Sequence, residues 1–257
     1  MTKDFNSSKK AIRERLKVIY YNLKHRDYKF RLENEYYYTR GQNWSIKTFT
    51  PLYFTTKDID RYERFYQVKP NDVIIDAGAF HGILSLVYSK KALGGKVYSF
   101  EPDYLNLKRL KKNLSLNDNP KNIHVIEKAL WYEESLIKFY QDGSVASSTF
   151  YKAENAIEKK IEALSLDVFV HMFKISELNF IKMDVEGAEL SILKGAKEIL
   201  SRFKPNLSIA SYHVVDGALT YKSVEEFFQH IDFPYKTIFY TDGEIITYAG
   251  PAVQDIN

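Results

Sequence analysis

Cysteine is absent from the 257 residues. That excludes disulfides, thiolate metal sites, iron–sulfur clusters and a cysteine nucleophile together. No apolar run approaches the ~18–20 residues that span a bilayer. The first ten residues, MTKDFNSSKK, carry three lysines and no hydrophobic stretch. No secretory signal is therefore read there, and a cytoplasmic location is expected. Internal repeats and low-complexity tracts are also missing. What remains is the composition of a globular chain, 45% apolar and 27% charged, sufficient to bury a sizeable core. The length fits one large domain, or one domain with an appendage.

Charge is unevenly spread. Residues 1–70 hold 16 Lys+Arg against 8 Asp+Glu, and residues 71–257 hold 21 against 25, so a net of +8 sits in front of a body of −4. Such a front end suits a negative partner: an acidic or phosphorylated glycan, an anionic membrane surface, or RNA. Solvated basic faces are nevertheless the commoner origin of charge runs.

Hydrophobic periodicity predicts an amphipathic helix over residues 8–24, with Ile12, Leu16, Ile19 and Leu23 on one stripe. Residues 27–57, rich in Tyr, Phe, Thr and Trp, read as extended, with a turn at Arg40-Gly41-Gln42-Asn43. Asp58 is placed to cap a short helix through Tyr66. Residues 1–70 thus read as a basic, aromatic-rich appendage, a lid or platform. From Asn71 the rhythm becomes strand–helix–strand. Val73-Ile74-Ile75 runs into Asp76, Lys96–Phe100 ends at Glu101, and Leu178–Met183 ends at Asp184, as buried parallel strands do. Helices are expected from Asp103, at 82–91, Ser165–Phe173, 186–200 and 222–230. Further strands are expected at 122–127, 135–140 and 207–210, and a terminal hairpin around Asp242-Gly243. This is an α/β open sheet of mostly parallel strands with an antiparallel edge feature. Ligands of such sheets bind beyond the carboxyl ends of the strands, which singles out Asp76, Glu101, Asp184 and His213.

Asp76-Ala77-Gly78-Ala79-Phe80-His81-Gly82 has the pattern D-x-G-x-x-x-G. Gly78 allows a sharp turn, and Gly82 allows close approach of the next helix. An acid at the strand end repels a pyrophosphate and suits an ammonium or N–H donor, as S-adenosylmethionine carries. The dinucleotide pattern G-x-G-x-x-G is missing, which disfavours an NAD-dependent dehydrogenase. Glu101 is positioned to accept hydrogen bonds from both ribose hydroxyls of an adenosine cofactor. In Lys182-Met183-Asp184-Val185-Glu186-Gly187-Ala188-Glu189 three acids fall within six residues, and Glu186 and Glu189 are expected to share a helix face. Such acids favour a helix macrodipole, bind a divalent cation or act as a base; no metal is assigned. The polar stretch 142–149 reads as a solvated loop with the option of touching substrate hydroxyls.

IIDAGAFHG, VYSFEPD, KMDVEGAELSILKGA and the strand leading to SYH together resemble the FkbM family of S-adenosylmethionine-dependent methyltransferases, over about residues 72–213. The resemblance implies a class I methyltransferase fold: a Rossmann-like, mostly parallel seven-stranded sheet with helices on both faces and a C-terminal β-hairpin, formed by residues 71–257. It implies S-adenosylmethionine as cofactor, held by Asp76, Gly78, Ala79, Phe80, Gly82, Glu101, Pro102, Asp103, Ala129 and Asp184. It implies methylation of a hydroxyl on a sugar, glycan or other small metabolite, with Asp184 and Glu186 at the substrate–cofactor junction and His213 after the fifth strand. His213 is the first choice of general base, because imidazole titrates near neutrality; Asp184 is the second. The chain departs from the family's usual pattern at Phe80-His81 and at the Ala-Ser-Tyr before His213. His81 is expected to pack locally. Two other readings compete. One is an RNA methyltransferase using the basic front, although adjacent prolines are missing and with them the motif of adenine amino-methylation. The other is a protein that binds the cofactor without catalysis.

Overall fold

The computed structural model of the protein describes residues 2–142, 148–150, 154 and 156–254, with side chains from residue 11 onward. The front section forms α1 (Thr2–Lys24), a small antiparallel sheet of β1 (Lys29–Glu33), β2 (Tyr36–Arg40) and β3 (Ser45–Thr48), and α2 (Thr55–Tyr62). The turn expected at 40–43 joins β2 to β3, closed by a hydrogen bond from the Gly41 amide to the Trp44 carbonyl. One expectation fails here. α2 begins before Asp58, which lies within the helix rather than capping it. α1 turns Ile12, Leu16, Ile19 and Leu23 to solvent, each 58–81% exposed. It faces the body instead with Val18 and with Tyr21, which stacks on buried Tyr53 at 4.2 Å.

Then follow β4 (Val73–Ala77), α3 (Ile83–Lys91), β5 (Lys96–Phe100), α4 (Tyr104–Ser115), β6 (Ile123–Ile126), β7 (Ala129–Leu130), β8 (Ser135–Gln141), β9 (Ile157–Leu164), α5 (Leu166–Met172), β10 (Phe180–Met183), α6 (Glu189–Lys194), α7 (Lys197–Phe203), β11 (Asn206–Ala210), β12 (Val214–Val215), β13 (Ala218–Leu219), α8 (Thr220–His230), β14 (Tyr235–Phe239) and β15 (Ile245–Ala249). The main sheet has seven strands in the order β14-β15-β11-β10-β4-β5-β6. β4, β5, β6, β10 and β11 run parallel. β15 is antiparallel to both its neighbours. The hairpin turn is where Asp242-Gly243 predicted it. The antiparallel strand, however, is inserted between β11 and β14 instead of forming the edge.

Strand alternation divides the core. Ile75, Ala77, Phe100, Ile181, Met183 and Ile209 pack with α5 to α8 on one face. Ile74, Val97 and Phe180 pack with Tyr88 of α3 on the other. Ile83, Leu86, Leu110 and Leu114 of α3 and α4 share a cluster with Tyr28, Trp44, Ile46 and Tyr53 of the front section. The helix expected over 186–200 is two helices. Its start is delayed because Glu186 and Gly187 adopt positive φ. Its middle breaks at Gly195, where a Cβ would lie 2.6 Å from the Trp131 carbonyl oxygen. Glu186 therefore precedes α6 and shares no helix face with Glu189. β9 carries only partial alternation (IEKKIEAL) and pairs with β7 and β8 in a separate small sheet. For that reason its pattern did not announce a strand.

Candidate active site

The chain leaves β4 toward β5 and β6 on one side and later fills β10 and β11 on the other, so the β4–β10 junction is the topological switch point. Register aligns Ser208, Lys182, Asp76 and Ser99 in one row across four strands. All four are buried. Lys182 Nζ lies 3.1 Å from Asp76 Oδ1 and donates to the Ala77 and Gly78 carbonyls at 3.2 and 2.7 Å. Ser85 donates to Asp76 Oδ2 at 2.5 Å, and Ser99 to Ser85 at 2.8 Å. A buried ion pair is tolerated when neighbouring groups meet its other donors and acceptors; here Asp76 Oδ1 faces Lys182 as an ion pair without an aligned hydrogen bond. It follows that the Asp76 carboxylate is turned to Lys182 and Ser85. Its partners here are inside the chain.

Above this row lies a cavity of about 400 Å³. Gly78, Ala79, Phe80, Glu101, Pro102 and Ala129 of the expected cofactor set line one end. Gly78 has φ +74, and a Cβ there would lie 1.8 Å from the Asp184 carbonyl oxygen. Only glycine lets the loop touch the end of β10. Gly82, with φ +72, starts α3, and its missing Cβ admits Leu110 of α4. Its role is packing rather than cavity wall. Phe80 holds a left-handed conformation (φ 49), the kind of local strain that clusters at functional sites. Its amide donates to Glu101 Oε2 at 2.8 Å, and the Asp103 amide donates to Glu101 Oε1 at 2.9 Å. Burial pushes the Glu101 carboxyl up to about 8, against the pull of those two amides. Asp103 is fully buried, caps α4 through the Leu105 and Asn106 amides and accepts from Gln141. His81 packs locally as expected, stacked on Phe80 at 3.6 Å. Burial, reinforced by Arg109, lowers it to about 4.

The other end is acidic, lined by Asp58, Asp184, Glu186 and Glu244 with Tyr62 and Tyr212. Tyr62 OH donates to Asp184 Oδ2 at 3.1 Å; Asp184 Oδ1 has no hydrogen bond. Burial raises Asp58 to about 7, with Glu244 and Asp184 adding to the shift and Lys57 and Arg61 opposing it. Glu186 is held at φ 54, its carbonyl accepting from Ser148 at 2.7 Å. His213 lies behind this wall, its side chain 8% exposed. Nδ1 is 2.8 Å from Glu189 Oε1, and Nε2 is 3.5 Å from both Asp184 Oδ1 and Glu186 Oε1. These are ion-pair distances without aligned hydrogen bonds. Burial opposes the charge, yet Glu186, Glu189 and Asp184 raise His213 to about 11. The three acids around it favour the protonated imidazole. Asp184, Glu186 and His213 each offer a ligand atom within 4.8 Å of the others, a spacing a divalent cation also accepts.

Sequence reasoning missed Lys182, Asp58, Tyr62, Tyr212 and Glu244 as parts of this site. Lys182 had a signal, being the one charge inside the buried strand FIKM. Tyr62 and Glu244 had none, because they arrive from opposite ends of the chain. Of the polar stretch 142–149, Thr149 lines the cavity, while residues 143–147 lie outside the described residues. Among the described residues no helix is long and apolar enough to cross a membrane.

Residues 76–246 match the family model described as methyltransferase FkbM domain. The chain is 26% identical over 163 residues to methyltransferase sdnD of Sordaria araneosa, covering 50% of this chain and 61% of that protein. It is 28% identical over 134 residues to hexuronic acid methyltransferase AglP of Haloferax volcanii, covering 52% and 54%. The chain thus spans little more than half the length of these curated relatives. In fold it is similar to the crystal structure of methyltransferase FkbM from Methylobacillus flagellatus KT, with a TM-score of 0.53 at 22% identity, over 71% of this chain and 44% of that one. Its sheet is that of the class I methyltransferases. With the match running from Asp76 at the switch point into the terminal hairpin, the chain belongs to the FkbM methyltransferase family, whose methyl donor is S-adenosylmethionine.

Proposed function

We propose that the protein is an O-methyltransferase that moves a methyl group from S-adenosylmethionine to a hydroxyl of a sugar, glycan or other small polyhydroxy metabolite. The observation that carries this reading is the cluster of acids lining the cavity, where Asp184, at the end of β10 against the glycine loop, stands with Asp58, Glu186 and Glu244. When bound, the cofactor supplies an electrophilic methyl on a sulfonium centre. The residues fit it: Gly78 leaves main chain where a side chain would block the loop, and Glu101 is a buried acceptor oriented by two amides toward ribose hydroxyls. Ala79, Phe80, Pro102 and Ala129 supply walls.

Asp184 then takes the proton of the attacking hydroxyl on its carboxylate, whose plane is set by Tyr62 at Oδ2 and His213 beside Oδ1. A positioned base contributes about 10²–10⁴-fold, and alignment of the hydroxyl with the methyl group contributes more in favourable cases. Glu186 accepts from a neighbouring hydroxyl. His213, cationic and behind both acids, is a positioning residue that keeps two carboxylates side by side. Residues 1–70 act as a platform for the 71–257 methyltransferase domain, delivering Asp58 and Tyr62 to the acceptor. Four carboxylates at this end favour a neutral, hydroxyl-rich group there over a phosphorylated one. The hexuronic acid named for one relative fits if its carboxylate points toward Lys128. Burial of Tyr28, Phe30, Trp44 and Tyr53 removes aromatic surface that base stacking on RNA would use.

The test is calorimetry with S-adenosylhomocysteine and NAD, followed by mass spectrometry of sugars and uronic acids incubated with the methyl donor. Homocysteine-analogue binding and a product heavier by one methyl on oxygen are expected. Binding of NAD alone, or a methyl group found on nitrogen, overturns the reading.

A further inference from the structure

We infer that the outward face of α1 is a docking surface for an anionic lipid bilayer. At roughly 100° per residue, Ile12, Leu16, Ile19 and Leu23 fall in one narrow sector, with Tyr20 at its edge. All five are more than half exposed, and among the described residues nothing covers them. The helix is not loosely placed. Its opposite side is anchored: Asn22 exchanges two 2.8 Å hydrogen bonds with the Phe30 backbone, Glu14 bonds Lys17 and Tyr37, and Tyr21 stacks on Tyr53. The polar side holds the protein and the apolar side meets solvent, the reverse of what a surface helix of a globular domain does.

Charge selects the occupant. Arg13 and Lys24 flank the stripe on one side and Arg15 on the other, all exposed, with Arg26 just beyond the helix. Glu14, the only acid in residues 11–26, is turned inward. A second copy of the chain would set these basic flanks against their own kind. RNA would find aliphatic side chains where it needs aromatic ones. A bilayer with anionic headgroups satisfies both features, burying the stripe at the acyl boundary while the arginines and lysine stay among the headgroups. The inference is independent of the chemistry assigned to the cavity.

Flotation of the full chain with vesicles of phosphatidylcholine alone, and with about one-third phosphatidylglycerol added, tests it. Binding to the anionic vesicles is expected, weakened by salt, with little on the neutral ones. L16E/I19E should abolish it, and each of R13A and R15A should weaken it about fivefold. Unchanged far-ultraviolet circular dichroism and S-adenosylhomocysteine binding serve as the control for folding. R13A and R15A keep the inference testable if the double variant misfolds. Absence of flotation on anionic vesicles overturns the inference. So does equal flotation of the folded L16E/I19E variant, or dimerisation in sedimentation that L16E/I19E abolishes while wild-type protein ignores vesicles.

Discussion

The two ends of the cavity use carboxylates in opposite ways. At the glycine-loop end Asp76 and Asp103 are spent on the protein itself, one paired with Lys182 and Ser85, the other capping α4. Glu101 is half-committed, bound to two amides yet on the cavity wall. At the far end Asp58, Asp184, Glu186 and Glu244 face the cavity, and their stabilising partners, Tyr62, His213, Lys57 and Arg61, approach from behind or from the side. An acid at a strand end is therefore structural or functional according to whether a cation lies under it or beside it. On the proposed reading, the near end holds shape and the far end holds reactivity.

The largest effect should come from breaking the near end. Lys182→Met leaves the Asp76 charge buried and unpaired, and a loss of about 3–5 kcal/mol is expected in urea unfolding. Adding Asp76→Asn should restore part of it. If Lys182→Met unfolds at the wild-type midpoint, the pair is not what holds the loop.

The far end should respond in turnover instead. Asp184→Asn keeps shape and the Tyr62 contact, so stability should move by less than about 1 kcal/mol while methyl transfer falls about a hundredfold or more. Initial rates measured with saturating donor give the comparison, and wild-type turnover would remove Asp184 as the base.

Glu101→Gln, on the border between the two behaviours, should weaken S-adenosylhomocysteine binding about tenfold, read by calorimetry, with turnover at saturating donor nearly kept.

The smallest effect sharpens the far end's electrostatics. The Asp58 carboxyl is raised to about 7 in the fold, above its unfolded value near 3.9. Between those values the folded state binds more protons than the unfolded, so stability falls as pH rises through that window. Asp58→Asn removes the penalty. The variant should be more stable than wild type by about 1–2 kcal/mol near pH 8, with the advantage gone near pH 4. Thermal unfolding across pH checks both sign and window.

Most of the sheet was legible because buried parallel strands write themselves as short apolar runs ending in an acid, as at Val73–Asp76 and Phe180–Asp184. The glycine loop was legible too, since Gly78 and Gly82 occupy positions only glycine tolerates. The α1 stripe was legible as a stripe, but which side the body takes was not, because periodicity reports amphipathicity alone. The break at Gly195 was hidden for a similar reason: the apolar spacing of Leu193, Ala196 and Leu200 continues through it, while the cause is the Trp131 carbonyl, distant in sequence.

By itself the sequence determined the strand ends, the turns and the set of acids gathered at one edge of the sheet, all consequences of local sterics and burial. Tertiary structure alone decided which of those acids is free to act. That choice rests on Lys182 lying beside Asp76 in register, on Tyr62 and Asp58 arriving from the front section, and on Glu189 closing on His213. Electrostatic roles depend on distances of a few ångströms between residues up to 187 positions apart, and no local pattern encodes them.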